Sequence, residues 1–545
     1  MPLTAFGPQQ TGAMEPTDFG IYGFGGGLNI KAAPQELASN ELMVALNGYL
    51  RTDGGFEARR GINLYKTLGT NPAMGLARFY QQVVNGATVS VRQTLAQVGG
   101  TLYNADTGAQ IGPLNGLGAS AQPWSVVRAT DPNPQYFSGP TDVLVICTGD
   151  GGPYIYDGTN LYTPVGWASA AGARWCALVN GIVWFGGIPA QPNRINGTGY
   201  GQTVGDSFES LYNYREFLFS QPVVGLASVG HGANAGLAIG MNRGIGMLYG
   251  TSPSNFTIQE VPGEDGVQAG RTMLTYNGIL FFLGRQAIYS FEGYGMAPQQ
   301  ISIKVEPWIL NDPLSQGYRM RGDRTQAFAF IYNNKYHLAY DSLGTGVPQT
   351  ILVFDLIVQG WTVLATGMPL QSACLLDAPG DASPAQAYVG DASTGNVYAW
   401  DALNADTTCS DNGVAFLVSV QTKYFKLGEP GTIKSLLRYY PELFIAGSFS
   451  GNATVQTDYG TGASSSLVSP LSRIINQGAL WGTAIWGVDY WTASMPYTYF
   501  GAPRTRIDIS GIQADAFSFG ILSNQIAAPW VFAGLTGTYL QEGRV

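Results

Sequence analysis

The sequence predicts an all-β protein: a β-propeller of about seven blades joined to an antiparallel β-sandwich or platform domain. Three observations carry that expectation. Asn-Gly-type dipeptides sit between short apolar runs, an aromatic strand end recurs about every 49 residues, and longer alternating strands take over after residue 411.

The composition allows such a fold. Only 12% of the 545 residues are charged, about half the usual share of roughly 25%, and 74 are glycine. With 45% hydrophobic and 12% aromatic residues the chain has ample material for packed cores and is not a disordered polyelectrolyte. The net charge of −9, from 27 Lys+Arg against 36 Asp+Glu, argues against gripping nucleic acid by phosphate neutralisation. It does not prevent DNA from sliding past. Few charges and many aromatics suit a subunit that hides much of its surface against partners.

Residues 1–69 read as an N-terminal arm. The first ten, MPLTAFGPQQ, contain no basic segment followed by an apolar core, so no signal peptide is expected. Further on, Ser39 or Asn40 is placed to cap a short helix through Leu42, Met43, Ala45 and Leu46, which Asn47-Gly48 ends. That helix is expected to pack on the platform.

Residues 70–410 carry the propeller pattern. Asn180-Gly181 separates Ala177-Leu178-Val179 from Ile182-Val183-Trp184-Phe185, and Asn277-Gly278 separates Leu274-Thr275-Tyr276 from Ile279-Leu280-Phe281-Phe282. Both turn positions tolerate positive φ, which the tight hairpin requires. Asp157-Gly158 and Asn333-Asn334 read similarly. Aromatic strand ends fall at Tyr103, Tyr154, Tyr249, Tyr289, Phe354 and Tyr398, with a degenerate station near Asn193-Arg194-Ile195. Seven stations imply about seven blades, because a four-stranded sheet buries both faces by stacking radially on its neighbours. A series of β-sandwiches or a β-helix is the competing reading, and a β-helix would show a shorter repeat.

Residues 411–545 read as a separate sandwich. Phe416 to Tyr424, Arg504 to Ile509 and Phe517 to Ile521 alternate in polarity as half-buried strands do. The uncharged stretch from Ala516 to Gln541 is broken by Ser, Asn, Gln, Pro and Gly, so strands and turns are expected there in place of a membrane span. Cys147, Cys176, Cys374 and Cys409 form no CxxC pair, and free thiols are expected.

No enzyme chemistry is legible. HExxH, GxSxG and the phosphate-loop pattern are all missing, and the two histidines, His231 and His337, lie on a loop and within a strand. Neither the carboxylates Glu260, Glu264 and Asp265 nor Asp401, Asp406 and Asp411 have a spacing that singles out an acid and a nucleophile. No cofactor or metal is expected. The densest basic cluster is Arg319, Arg321 and Arg324, read as a subunit contact or a contact with DNA passing nearby. Arg321-Gly322-Asp323 also spells a familiar adhesion tripeptide.

One segment is distinctive: Gly26-Gly27-x-Asn29, Pro34, Leu37, Glu41-Leu42, Ala45-x-Asn47-Gly48 and Arg59-x-Gly61. Near the other end stand Lys423-Tyr424-Phe425, Gly428, Lys434, Asp458-Tyr459-Gly460, Arg504, Gly511, Tyr539 and Gly543-Arg544. This pattern resembles the tail nozzle proteins of short-tailed bacteriophages, the tail tubular protein B type. The resemblance implies a non-enzymatic virion subunit in the tail, assembled in the host cytoplasm. It further implies a homo-hexameric ring below the adaptor ring, holding tail fibres or spikes. Its lumen would pass and gate double-stranded DNA without sequence-specific binding. The alternative is a receptor- or glycan-binding propeller of a fibre or spike base, whose exposed aromatics stack on sugars.

Overall fold

The computed structural model describes residues 15–544 except 115–122, 132–138, 199–210, 233–234, 253, 262–264, 294–295, 316, 382–384, 403–408, 446–448, 459–466, 474–499, 502–506 and 525–528. Its described part is built almost entirely of strands, the one α-helix being Glu306–Ile309.

Seven four-stranded antiparallel units follow one another and form a propeller. Their first strands are Ala73–Val84, Ser125–Asp131, Trp175–Val179, Val223–Val229, Leu274–Tyr276, Phe328–Tyr332 and Leu370–Leu376, which open blades 1 to 7. Each first strand packs beside the next, and the seventh lies beside the first, so the ring closes. The turns between first and second strands show the expected chemistry: Asn180 (φ 52°) with Gly181 (φ 75°), and Asn277 (φ 49°) with Gly278 (φ 78°).

The aromatic stations have a single structural meaning. Tyr103, Tyr154, Ile195, Tyr249, Tyr289, Phe354 and Tyr398 all lie in the third strand of their blades. The sequence period is therefore the blade period.

Blade 7 takes its fourth strand from far away. Gly61–Thr67 pairs antiparallel with Asn396–Ala402, so the segment expected to belong to the arm closes the propeller. Fastening the two chain ends of a ring to each other removes the sheet edges that an open ring would expose.

The platform is a two-sheet sandwich built from both ends of the chain. One sheet continues blade 6: its last strand, Trp361–Ala365, is followed by Glu41–Leu46, Val418–Thr422, Phe517–Ser523, Phe449–Thr457 and Leu467–Arg473. The other centres on Thr432–Ile445 and Trp530–Arg544, and the latter also pairs with Thr17–Tyr22 and Phe56–Ala58. The two sheets meet through Phe519 and Tyr439 (5.5 Å between ring centroids) and through Phe449 and Trp530 (5.6 Å). A sandwich confined to residues 411–545 is thus corrected, because strands before residue 60 belong to both of its sheets.

The short helix is also corrected: Glu41–Leu46 is a strand. It lies between blade 6 and the platform strand Val418–Thr422, with Leu42, Ala45 and Leu46 buried. A bulge between Leu42 and Val44 breaks the period of two. A bulge that shifts the side-chain phase places the buried Leu42, Ala45 and Leu46 at the three-to-four spacing that reads as a helix.

Asn47 (φ 55°) ends that strand, where a helix stop was read. The four cysteines are buried and free. Among the described residues no helix is long and apolar enough to cross a membrane.

Candidate functional site

Antiparallel blades place second-to-third turns and blade-to-blade connections on one face, opposite the Asn-Gly hairpins. The arginine cluster lies on the connection face, in residues 301–327 between blades 5 and 6. Pro307 starts the helix Glu306–Ile309, whose Trp308 and Ile309 are buried. The Met320 amide donates to the Trp308 carbonyl (2.9 Å), and the Tyr340 hydroxyl donates to the Tyr318 carbonyl (2.6 Å). These contacts fold the connection back on itself.

The structure brings the three arginines onto one connection but gives them different tasks. Arg324 donates to the carbonyls of Ile309 and Arg285, and burial lowers its pKa, with Asp265 opposing and Arg285 adding. Arg319 donates to the Asp312 carbonyl (3.1 Å) while its Nε is buried without a hydrogen-bond partner among the described residues. Only the side chain of Arg321 is exposed, and its backbone N–H donates to the Asp341 carbonyl (3.0 Å). Within the adhesion-like tripeptide, Asp323 caps the turn Arg324–Gln326 by accepting from the Thr325 N–H (2.9 Å) and hydroxyl (2.7 Å). Its carboxylate acts locally, as capping side chains do.

The carboxylates read as possible acids are engaged one by one. Glu260 accepts from the Ser220 hydroxyl (2.7 Å), and Asp265 accepts from the Gln286 N–H (2.7 Å) and the Tyr289 hydroxyl (2.9 Å). Asp411 pairs with Arg59 (2.5 Å). Asp401 accepts from the Arg60 N–H (2.8 Å), and burial pushes its pKa up to about 6 against the pull of that bond and of Arg60. Glu264 and Asp406 lie outside the described residues.

His337 is fully buried in an aromatic box, stacked on Phe330 (4.6 Å between centroids) and edge-on to Tyr49 and Trp400. Burial lowers its pKa to about 3, although its Nδ1 contact with the Lys335 carbonyl opposes this. It is a neutral packing group. Among the described residues no group of His, Cys, Asp and Glu could hold a metal ion.

An open groove of about 240 Å³ beside the long hairpin of blade 1, lined by Tyr80, Gln82, Val89, Arg92 and Pro379 among others, brings together no acid and base. Exposed large aromatics among the described residues are Tyr22, Tyr65 and Phe444, and Tyr65 is stacked on Tyr388 (4.4 Å).

Residues of the first part of the distinctive sequence pattern, with Lys423 from the second, converge elsewhere, at the seam between propeller and platform, whereas others of the second part lie within the platform. Gly27 approaches Trp361 of blade 6 so closely that a Cβ would lie 2.6 Å from its backbone nitrogen. Asn29 donates to Glu41 (3.0 Å), and Lys304 bridges the Glu41 carboxylate (3.0 Å) and the Gly26 carbonyl (2.7 Å). Burial would raise the Glu41 pKa, but the Ala38 N–H, Asn29 and Lys304 together lower it.

Lys423 donates to the Leu37 carbonyl, which joins the two halves of the pattern. Lys434, fully buried, pairs with Asp515 (3.2 Å). Asp458 receives the Asp515 N–H (3.0 Å), while Tyr459, Gly460 and Arg504 lie outside the described residues. Sequence reasoning found these positions as a pattern but read Asp411, the partner of Arg59, only as one of a group of carboxylates, because its role depends on where the chain returns after the propeller.

No family model matches the chain, and no curated protein sequence matches it. Solved structures do. Saccharomyces cerevisiae Sqt1 aligns at 8% identity over 64% of this chain and 100% of its own, with a TM-score of 0.38. BBS1N, solved in complex with ARL6DN, aligns at 12% identity over 52% of this chain and 83% of its own, with a TM-score of 0.30.

Proposed function

We propose that the chain is a structural, non-enzymatic subunit of a short phage tail that assembles into the nozzle ring and lines the path of DNA. The observation that carries this reading is the seam. Gly27, Asn29, Glu41, Asn47, Arg59 and Lys423, residues through which the sequence resembles nozzle proteins, are among those that weld the propeller to the platform. A rigid weld suits a conduit wall that must transmit load from an adaptor ring to the tail tip.

The electrostatics agree. With a net charge of −9, a wall of this protein would not trap a polyanion, and sparse arginines would suffice to guide it. Closed cyclic symmetry would bring one surface of each subunit to the axis. A glycan-binding role has less support, because exposed aromatics for stacking on sugars are few among the described residues.

Electron microscopy of the purified full chain mixed with the adaptor ring of a short-tailed phage tests the reading. The expected result is a ring with a central opening seated on the adaptor. A monomer that neither closes into a ring nor joins the adaptor would overturn it.

A further inference from the structure

Two features on opposite faces of the propeller complement one another. The first is an apolar knob on the connection face. Leu314, in the connection between blades 5 and 6, is 89% exposed. The turn that carries it is held: Asn311 takes φ 56°, Pro313 fixes the next φ, and the Asp312 carboxylate accepts from the Leu314 N–H (2.9 Å). On the same face Leu310 and Leu343 are 49% and 66% exposed, Leu343 in the second-to-third turn of blade 6. The Arg321 N–H donates to the Asp341 carbonyl and the Leu343 N–H to the Asp341 carboxylate (both 3.0 Å), so the exposed Arg321 is anchored beside that turn. Fixing several leucines outward brings no gain in water, whereas a partner surface covers them.

The second feature is the groove of about 240 Å³ on the hairpin face, between the long hairpin of blade 1 and the first turn of blade 7. Tyr80, Val89 and Val91 line it from blade 1, and Pro379 from blade 7. It is smaller than the roughly 300–1,000 Å³ of small-molecule sites and open to one side. One of its walls is also a strand edge. Among the described residues Ala87–Gln93 pairs with the first strand alone, because Thr101–Asn104 reaches only from Val98 to Leu95. An apolar groove under an open edge suits a projecting protein segment in place of a metabolite.

The charges match as well. Asp377, two residues before Pro379, is exposed and forms no ion pair among the described residues, while Arg78 and Arg92 both pair with Asp381 (2.5 and 3.5 Å). Beside the knob, Arg321 likewise forms no ion pair among the described residues.

We propose that copies of this chain join head to tail: Leu314 of one copy enters the blade 1 groove of the next, and Arg321 faces the Asp377 of that next copy. A knob on one face and a groove on the other make a heterologous contact, the kind from which closed rings are built. This joint deepens the ring reading above, on which it rests, by giving the ring its contact surface.

Sedimentation velocity of the purified full chain over a concentration series tests the joint. The wild type should associate. Asp377→Arg and Arg321→Asp should each weaken association at least about tenfold at an unchanged melting temperature, because like charges then meet. An equal mixture of the two variants should associate again, since every contact between unlike copies regains opposite charges. A double variant, Leu314→Cys with Val91→Cys, should form a disulfide between copies on oxidation with diamide. A monomeric wild type, single charge variants that associate as the wild type does, or a mixture no better than either variant alone would overturn the joint. Electron microscopy on the adaptor separates the joint from the nozzle reading. Rings formed equally well by both charge variants would reject the joint and keep the nozzle, whereas association restored in the mixture without any ring on the adaptor would keep the joint and reject the nozzle.

Discussion

Arg59 and Asp411, 352 residues apart in sequence, form a two-pronged ion pair (2.7 and 2.5 Å) with 1% and 5% of their side chains exposed. The Arg59 Nε donates to Asn47 (3.1 Å), and its guanidinium lies 3.7 Å from the Phe416 ring centroid. Asn47 in turn donates to the Leu417 carbonyl (2.6 Å) and accepts from the Ala365 N–H (2.8 Å). The arm, the last strand of blade 6 and the chain leaving the propeller are fastened at this one point.

Removing the anion from this pair leaves a buried guanidinium without a counter-charge. Asp411→Ala is expected to cost about 3–5 kcal/mol in urea unfolding, and the double variant Arg59→Met with Asp411→Leu to lie closer to wild type than either single change. Single variants within about 0.5 kcal/mol of wild type would show that the pair does not hold the seam.

Gly61 lets the closing strand approach the same segment. A Cβ there would lie 1.8 Å from the Ser410 carbonyl oxygen, which accepts from the Ile62 N–H (3.0 Å). Gly61→Ala must therefore push Gly61–Thr67 away from blade 7, with a loss of about 1–3 kcal/mol. Hydrogen exchange should speed up in Gly61–Thr67 and Asn396–Ala402 together, and unchanged exchange in both would contradict the closure role.

The blades were legible because turn chemistry and the aromatic third strand recur in local sequence. Asn180-Gly181 and Tyr154 need no knowledge of the rest of the chain. The platform was legible only in part. Glu41–Leu46 carries its apolar residues at helical spacing because a bulge shifts its phase, and nothing local says that it joins blade 6 to a strand from beyond residue 411. The strand Gly61–Thr67 alternates as any strand does, but its partner lies more than 300 residues away. The arginine cluster was legible as a cluster. The carbonyls that occupy Arg324 come from the folded connection and from blade 5, so its structural task was not.

Buried His337 and half-buried Asp401 titrate in opposition. His337, with its pKa lowered to about 3, stays neutral while its unfolded counterpart takes up a proton below about 6.5, so stability falls as pH drops through that window. Asp401, with its pKa raised to about 6 from an ordinary 3.8, keeps a proton that the unfolded chain releases, so its contribution grows as pH falls from 6 to 3.8. Between those values the two slopes, each at most about 1.4 kcal/mol per pH unit, oppose one another. Relative to wild type, His337→Phe should gain stability towards acid and Asp401→Asn should lose it. Urea unfolding of all three proteins at pH 4.5, 5.5 and 6.5 measures both differences, and parallel curves would refute the assignment.

Arg324 and Arg321 lie three positions apart and should behave as different kinds of residue. Arg324 bridges the helix Glu306–Ile309 and the turn at Arg285, so Arg324→Ala leaves two carbonyls without their charged donor. A loss of about 1.5–3 kcal/mol is expected, with faster hydrogen exchange across 301–327. Arg321 is exposed and contributes to the fold through its backbone, so Arg321→Ala should leave stability within about 0.5 kcal/mol. If Arg321 instead serves contact between subunits or with passing DNA, that variant should fold normally and alter only ring formation or its salt dependence, read by sedimentation at several salt concentrations. An Arg321→Ala protein that unfolds as readily as Arg324→Ala would mean that the connection is held by side chains at both positions, and would remove Arg321 as the solvent-facing cation of the cluster.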